Sequence, residues 1–508
     1  MVRVRSLASP EPTATGEDLS GSAAVHLFRD RASDAGATGG WSDAQWSAVG
    51  EICRRVDGIP LAIELAAARV ASMSPTDIAA HLDERFRLLT GKRRGRVERH
   101  QTLRATVEWS YQLLETDDRT VFNRLGFFAG TFDAVAAGAV VGDNDLDRWR
   151  IMDSISSLVA KSMLVAEDGP EGTTRYATNE TLRQFAREQL EETGEADRWR
   201  RRHAEHYATF TESAALGFKG RDETLWTERF VSERDNVWIA GGWALDRDEP
   251  ADRELAVRIV AALADTYQHH GTGGAVIEAL AAQAAPVAEH CRPELRAPAL
   301  ALAASHEMNQ GHPERARALA HDALRDGVIA TSPHPLVPYV TLGYIEIVTG
   351  HFGPALDILN EARTALDALG ALGDNPYPES QLLAVLSIYE GMTGQIDQAR
   401  ADAERSLELA RQLQNPTALG GAFHATAWVL QRDDPTAALA AAEQCLEKYR
   451  GGGSMAAAGA AMALAGGLRA RIGDPSAHSS SCARRSSCRA TRVPARNSPP
   501  RSTGASAR

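Results

Sequence analysis

Apolar residues recur along most of this chain at three- and four-residue spacing, the period of a helix with one buried face. Ser22–Arg31 turns Val25, Leu27 and Phe28 to one side. Trp46–Val56 does the same with Trp46, Val49, Ile52, Cys53 and Val56. Asp57-Gly58 predicts a helix stop, and Pro60 suits the first turn of a new helix, where its missing N–H is not needed. That helix, Leu61–Val70, packs closely through Ala62, Ala66 and Ala67, and Ser74 with Pro75 starts another that runs through Leu82.

Residues 96–192 read as a separate unit. Leu103–Leu114 is amphipathic. Thr116, followed by Asp117 and Asp118, is expected to cap a helix carrying Val121, Phe122 and Leu125, and Asp133–Val141 forms a shorter one. Ile151, Ile155, Leu158 and Val159 make one clean apolar stripe. Leu164–Ala166 and Thr174–Ala177 flank Asp168-Gly169-Pro170-Glu171-Gly172 as a β-hairpin, and Thr181–Leu190 closes the unit. Helices followed by a hairpin are the make-up of a winged helix.

Beyond Trp199 the pattern is almost entirely helical, and from about residue 295 it repeats. Gly311-His-Pro-Glu-Arg-Ala316, Gly350-His-Phe-Gly-Pro-Ala355 and Gly394-Gln-Ile-Asp-Gln-Ala399 are the clearest copies. Arg432-Asp-Asp-Pro-Thr-Ala437 and Gly473-Asp-Pro-Ser-Ala477 are weaker ones, and the intervals are 39, 44, 38 and 41 residues. Such spacing predicts helix hairpins of degenerate tetratricopeptide type, each burying its face on its neighbour; an irregular helical bundle is the alternative.

Composition narrows the function classes. Of 508 residues, 44% are hydrophobic and 24% charged, as in a globular protein without membrane partners. The formal charge is −12, yet Ser476–Arg508 holds seven Arg and no acid, which leaves −19 for the rest. An acidic body argues against a broad nucleic-acid surface. The tail breaks every earlier pattern, and either a shifted or truncated reading frame or a basic tail with weak attraction to nucleic acid would explain it. Five Cys show no metal spacing and Met1–Ser20 has no signal-peptide core, so reduced thiols and a cytoplasmic location are expected. Gly451–Leu468, mostly Ala and Gly, reads as a packed helix rather than a membrane span.

Candidate chemistry is sparse. No Gly-x-x-x-x-Gly-Lys-Ser/Thr occurs, and Gly91-Lys92 lacks both the earlier glycine and the hydroxyl residue, so ATP hydrolysis by this chain alone is not expected. His203-Ala-Glu-His206 is a possible metal pair without a clear third ligand and reads instead as a solvated helix face; His269-His270 carries no clearer signal. Arg150–Val159, the candidate recognition helix of the winged unit, has too little positive charge to favour DNA. No catalytic triad or carboxylate pair can be placed by spacing.

Two blocks carry a resemblance. Glu51-Ile-Cys-Arg-Arg-Val-Asp-Gly58-Ile-Pro60-Leu61-Ala-Ile-Glu-Leu-Ala-Ala-Ala-Arg-Val70 is one. His100-Gln-Thr-Leu-Arg-Ala-Thr-Val-Glu-Trp-Ser-Tyr111 is the other. Together they resemble the helical lid of STAND signalling ATPases, the NB-ARC-like module of actinobacterial LuxR/SARP-type regulators and cyclase-linked relatives. Leu82-Asp-Glu-Arg-Phe-Arg-Leu-Leu89, Phe122-Asn-Arg-Leu-Gly-Phe-Phe-Ala-Gly130, Leu158-Val-Ala-Lys-Ser-Met-Leu-Val165 and Thr181-Leu-Arg-Gln-Phe-Ala186 extend the likeness.

The resemblance implies a mainly α protein: an ATPase lid, a winged helix with a small β-hairpin, then an α-solenoid of TPR-like hairpins. Its divisions would be 1–20 as a disordered remnant of a nucleotide-binding domain, 21–95 as lid, 96–192 as winged helix, 193–250 as helical connector, 251–476 as repeats and 477–508 as basic tail. Gly58, Pro60 and Leu61 would touch adenine. Asn179, matching the His of a Met-His-Asp motif in relatives, would sense phosphate or else simply cap its helix. ATP or ADP would bind only in a complete module, with the P-loop supplied elsewhere. The expected function is an ATP/ADP-switched transcriptional regulator that senses a protein partner or small inducer on its repeats. A pure interaction scaffold and a fragment of a split regulator gene are the alternatives.

Overall fold

The computed structural model describes residues 7–10, 19, 21–37, 40–56, 58–89, 96–270, 274–325, 334–368, 376–451 and 455–473. Asp57, Gly91-Lys92 and the tail 477–508 lie outside them, as do the side chains of residues 83–102 and of His269-His270. The chain is mainly α, with one small sheet. It divides into two compact units, Met1–Phe218 with Leu225–Tyr267 and Gly273–Pro338, and Lys219–Thr224 with Gln268–Thr272 and Tyr339–Arg508.

The first unit opens with α1 (Ala23–Asp34), α2 (Asp43–Arg55), α3 (Pro60–Ala67) and α4 (Pro75–Leu89). A capping box starts α2: the Ser42 hydroxyl accepts from the Gln45 N–H and the Gln45 side chain accepts from the Ser42 N–H. Ser74 accepts from the Asp77 N–H at 3.2 Å and so caps α4. The helix read as Leu61–Val70 is shorter than that, because after Ala67 it tightens into a 3-10 turn, Ala68–Ala71. Phe28, Ile52, Ile63, Ala66 and Leu82 close one core with Trp109 of α5 (Arg96–Gln112).

Next come α6 (Thr116–Leu125), β1 (Phe132–Asp133), α7 (Ala134–Val141), α8 (Arg148–Ala160), β2 (Val165–Asp168), β3 (Thr174–Ala177) and α9 (Glu180–Glu192). Two expectations change here. Glu115, not Thr116, is the N-cap of α6, and its side chain makes no capping bond. The hairpin also gains a third strand: β1 pairs antiparallel with β3 through Phe132–Tyr176 and Asp133–Arg175, giving the order β1-β3-β2. That element and sheet order is a winged helix. Asp133 ends the strand and caps α7 by accepting from the Ala136 N–H at 2.7 Å. A two-residue strand leaves no alternation for a sequence pattern to register.

Behind the sheet run α10 (Ala196–Gly217) and α11 (Glu223–Leu245). A buried polar network joins the sheet to both. Arg175 on β3 donates from Nη2 to Glu233 of α11 at 2.6 Å, and both side chains are under a tenth exposed. Tyr207 of α10 donates its hydroxyl to the other Glu233 oxygen at 2.6 Å, and Asn236 donates to the same oxygen at 2.9 Å. Asn236 also accepts from the Ala129 N–H and donates to the Thr131 carbonyl, so its amide is used at both ends. The unit continues with α12 (Pro250–His270), α13 (Gly274–Ala288) and the hairpin α14 (Pro293–Asn309) and α15 (Pro313–Ala323).

The second unit holds α17 (Phe352–Ala368), α18 (Tyr377–Thr393), α19 (Ile396–Leu413), α20 (Pro416–Leu430), α21 (Pro435–Gly451), α22 (Met455–Ile472) and, from Tyr339, α16 (Val337–Val348). From α18 to α22 each helix packs on the next, and α18 also packs on α20. The three clearest of the expected repeat turns are present, whereas residues 474–477 of the weaker copy at Gly473 lie outside the described residues. Gly311, Gly350 and Gly394 all have φ between +84° and +91°. After each, an N–H bonds back five residues: His312 to Glu307, His351 to Glu346 and Gln395 to Glu390. This is a Schellman closure, which needs a left-handed residue and so takes glycine. His312 and His351 also reach the carboxylates of Glu307 and Glu346, at 2.8 and 2.9 Å. Gln395 cannot form that ion pair, and Arg363 holds the buried Glu390 carboxylate instead, at 3.0 Å.

Glu223 sits at the N-terminus of α20, fully buried, where its carboxylate accepts the N–H of Thr417 at 2.8 Å and the Thr417 hydroxyl. Burial pushes its carboxyl up to about 7 against these hydrogen bonds, which favour the ionised form. No helix among the described residues is long and apolar enough to cross a membrane.

Arg175→Ala leaves the buried Glu233 carboxylate without its counter-charge and is expected to cost about 3–5 kcal/mol. Glu233→Gln should cost less, since Tyr207 and Asn236 keep an acceptor and Arg175 keeps the Thr131 and Ser232 carbonyls; equilibrium denaturation of both variants measures the gap. Because the folded pKa of Glu223 lies above the unfolded value, its contribution is complete at low pH and is lost as pH rises through about 7. The melting temperature should therefore fall between about pH 5 and pH 8 by an amount that Glu223→Gln reduces. A Glu223→Gln profile parallel to the wild type would contradict this.

Candidate functional site

The Gly58–Leu61 bend is built by opposed local preferences. Helix α2 ends at Arg55, and the Gly58 N–H returns to the Cys53 carbonyl at 3.1 Å. Gly58 adopts φ +64°, a left-handed conformation that glycine reaches without a Cβ clash. Pro60 then opens α3 at its first position, with Ile59 as an extended N-cap. Gly58 is buried, and Pro60 and Leu61 are half-buried. Leu61 packs against the core cluster that contains Leu65, Val107, Leu182 and Phe185.

The bend has a neighbour that sequence reasoning missed. The Leu7 N–H donates to the Gly58 carbonyl at 2.9 Å, and Ser9 donates to the Cys53 carbonyl at 3.1 Å. Ala8 accepts from the Ser22 hydroxyl at 2.7 Å and from the Ala24 N–H at 3.3 Å. A Cβ on Gly58 would stand 2.2 Å from the Leu7 carbonyl oxygen. Leu7–Pro10 is therefore laid along the bend, and Gly58 serves both the turn and this close approach. The weak signal was a pair of serines, Ser9 and Ser22, in an otherwise featureless segment.

One charged group also lies in this core. Arg69, 4% exposed, donates to the Ser110 carbonyl of α5 at 2.9 Å. Burial pushes its pKa down to about 10. Its Nε and the Ser110 hydroxyl oxygen find no partner among the described residues.

Asn179 lies apart from the bend. It is the N-cap of α9, and its side-chain oxygen accepts from the Thr181 N–H at 2.9 Å. The side chain is exposed, which leaves its NH2 in solvent. Nearby, Arg187 fastens α9 to the Gly126 carbonyl at 2.7 Å, and Arg183 bonds the carbonyls of Phe128 and Ala129. No hydrogen bond or ion pair among the described residues joins Asn179 to Gly58, Pro60 or Leu61. Those three are brought together; Asn179 is not added to them.

The histidine pair needs correction. His203 is not on a solvated face: it is 2% exposed, its ring centroid 5.2 Å from that of Phe128 and 4.7 Å from that of Tyr207, and burial pushes its pKa down to about 3. Surrounding arginines at 198, 200, 201 and 202 made the helix look polar all round. Among the described residues no group of three or more His, Cys, Asp or Glu could hold a metal.

No protein-family model matches the chain. It is 46% identical over 221 residues to proteins of Mycobacterium bovis and Mycobacterium tuberculosis named, provisionally, HTH-type transcriptional regulators. That match covers 44% of this chain and 25% of each relative, so the chain spans only a quarter of their length. An uncharacterized protein of Mycobacterium tuberculosis is 42% identical over 184 residues, 36% of this chain and 47% of that one. Among solved structures, a STAND protein with a tetratricopeptide repeat sensor from Pyrococcus horikoshii aligns over 90% of this chain and 63% of its own, at 14% identity and a TM-score of 0.43.

Gly58→Ala combines a left-handed alanine with a clash against the Leu7 carbonyl, and should cost about 1–3 kcal/mol from the backbone alone. Limited proteolysis is expected to cut the released 7–10 segment first. Asn179→Ala should cost about 1 kcal/mol as a lost cap, while Asn179→Asp retains it. Thermal unfolding of the pair separates capping from any other role.

Proposed function

We propose that the chain is part of a signal-responsive transcriptional regulator of STAND type. In this reading the Gly58–Pro60 bend is the adenine-facing ledge of a nucleotide-controlled lid, and the helical repeats sense a protein partner or a small inducer. The observation that carries it is the bend itself: a buried left-handed glycine, a proline at the first turn of α3 and a half-buried Leu61, in a helical unit followed by a winged helix. The provisional naming of the mycobacterial relatives as HTH-type regulators supports the transcriptional setting. Because the sequence contains no Gly-x-x-x-x-Gly-Lys-Ser/Thr, the phosphates and magnesium would be held by residues outside this chain, and ATP turnover would require them. ADP and ATP would then bias a two-state element through different contacts.

A second reading, an interaction scaffold without nucleotide, draws on the second unit. Tyr344, Val348, Phe352 and Met392 are exposed there, and a cavity of about 520 Å³ lined by Phe352, Met392, Trp428 and Arg432 opens beside them. Exposed apolar groups around a groove suit a peptide.

Isothermal titration with ADP and with ATP distinguishes the two. Saturable heat that Pro60→Ala abolishes is expected for the lid, and none at millimolar nucleotide would leave the scaffold.

A further inference from the structure

The winged helix and the helix pair behind it enclose a cleft of about 470 Å³ in the first unit, apart from the Gly58 bend. That volume lies within the usual range for small-molecule sites, about 300–1,000 Å³. It is lined by Phe210 and Trp226, by the Arg175–Glu233 pair and by the polar groups of Thr173, His206, Thr209 and Ser213, the last three on successive turns of α10, and the Arg229 guanidinium lies over the Trp226 ring at 5.3 Å.

Charge and hydrogen bonding in this cleft are unusually one-sided. The ionised groups that line it are already engaged: Arg175 with Glu233, Arg229 with Glu171 at 2.5 Å, and Asp133 with the N-terminus of α7. A neutral ligand leaves these pairings intact, whereas an anion would have to take Arg229 from Glu171. Thr209 spends its hydroxyl proton on the Glu205 carbonyl at 3.1 Å, and Ser213 spends its own on the Thr209 carbonyl at 3.0 Å. Both oxygens are left as acceptors only. His206 has no hydrogen-bond partner among the described residues, and burial lowers its pKa, which favours the neutral ring with an acceptor nitrogen. The Glu171–Arg229 pair, from wing turn to α11, is more than two-fifths exposed on both sides, and such a pair opens at little cost.

We propose that this cleft is a binding site for a neutral, planar aromatic molecule whose hydroxyl groups donate hydrogen bonds to acceptors among His206, Thr209 and Ser213 while its ring packs beside Phe210 and Trp226. The Glu171–Arg229 pair lines the cleft as well. Occupation adds contacts between the wing turn and α10 and α11 to those the Glu233 network already makes. The site does not depend on nucleotide binding and stands if the lid reading fails.

The test is calorimetric, on the full chain, with 2,7-dihydroxynaphthalene as probe. 2,7-Dimethoxynaphthalene has the same ring without donors, and 2-naphthoate adds a negative charge. The dihydroxy compound is expected to bind at least roughly tenfold more tightly than either. Thr209→Trp, at an exposed helix position, should fill the cleft and abolish binding without lowering the melting temperature, and Ser213→Trp provides an independent second block. No binding of the dihydroxy probe at millimolar concentration, equal binding of the dimethoxy compound or the naphthoate, or binding indifferent to both tryptophan variants would each overturn the proposal.

Discussion

The organisation of the first unit depends on one carboxylate. Glu233 is buried, and an ionised group out of water is tolerable only when its lone pairs are met. Arg175 supplies the opposite charge, Tyr207 and Asn236 supply donors, and the four residues come from β3, α10 and α11. Asn236 extends the grip to the chain just before β1 through Ala129 and Thr131. Moving the wing away from the helices would strand a charge in the interior, so the winged helix and its connector behave as one piece. That rigidity is what makes a persistent cleft between them physically reasonable.

The bend at Gly58 works on the opposite principle. Among the described residues no ion pair holds Gly58, Pro60 or Leu61; steric permission and a handful of hydrogen bonds do. A left-handed glycine, a proline that needs no N–H partner and the absence of a Cβ facing Leu7 together allow two helices and an earlier segment to meet in a small space. In the same unit Arg69 carries a buried positive charge, and the Ser110 carbonyl is its acceptor among the described residues. Two helical modules in one unit are thus secured by different physics, one by charge compensation and one by close approach.

What could be read in advance follows the range of each interaction. Amphipathic stripes such as Ile151, Ile155 and Leu158 encode α8 within a dozen residues, and the repeat turns announce themselves by a glycine whose conformation is purely local. The helix stop at Gly58 and restart at Pro60 were legible for the same reason: neighbouring residues set them. Long-range pairings were not. Arg175 and Glu233 are 58 residues apart, and nothing in either neighbourhood marks them as partners. The strand β1 is too short to carry a period, the flanking arginines hid the burial of His203, and the bonds of Leu7 and Ser9 span dozens of residues of chain. Asn179 shows the limit from the other side. Its cap is local and was readable, whereas any longer reach depends on groups that its own segment does not specify.

The repeat turns carry one more consequence. Each closure at Gly311, Gly350 and Gly394 is completed within six consecutive residues, using only backbone groups and the missing side chain of a glycine. Such a joint places no demand on what lies upstream or downstream. Whole hairpins can therefore be duplicated, lost or exchanged during evolution without redesigning the hinge, while the faces they present diverge freely. The intervals between these turns, 39 and 44 residues, are the imprint of that freedom.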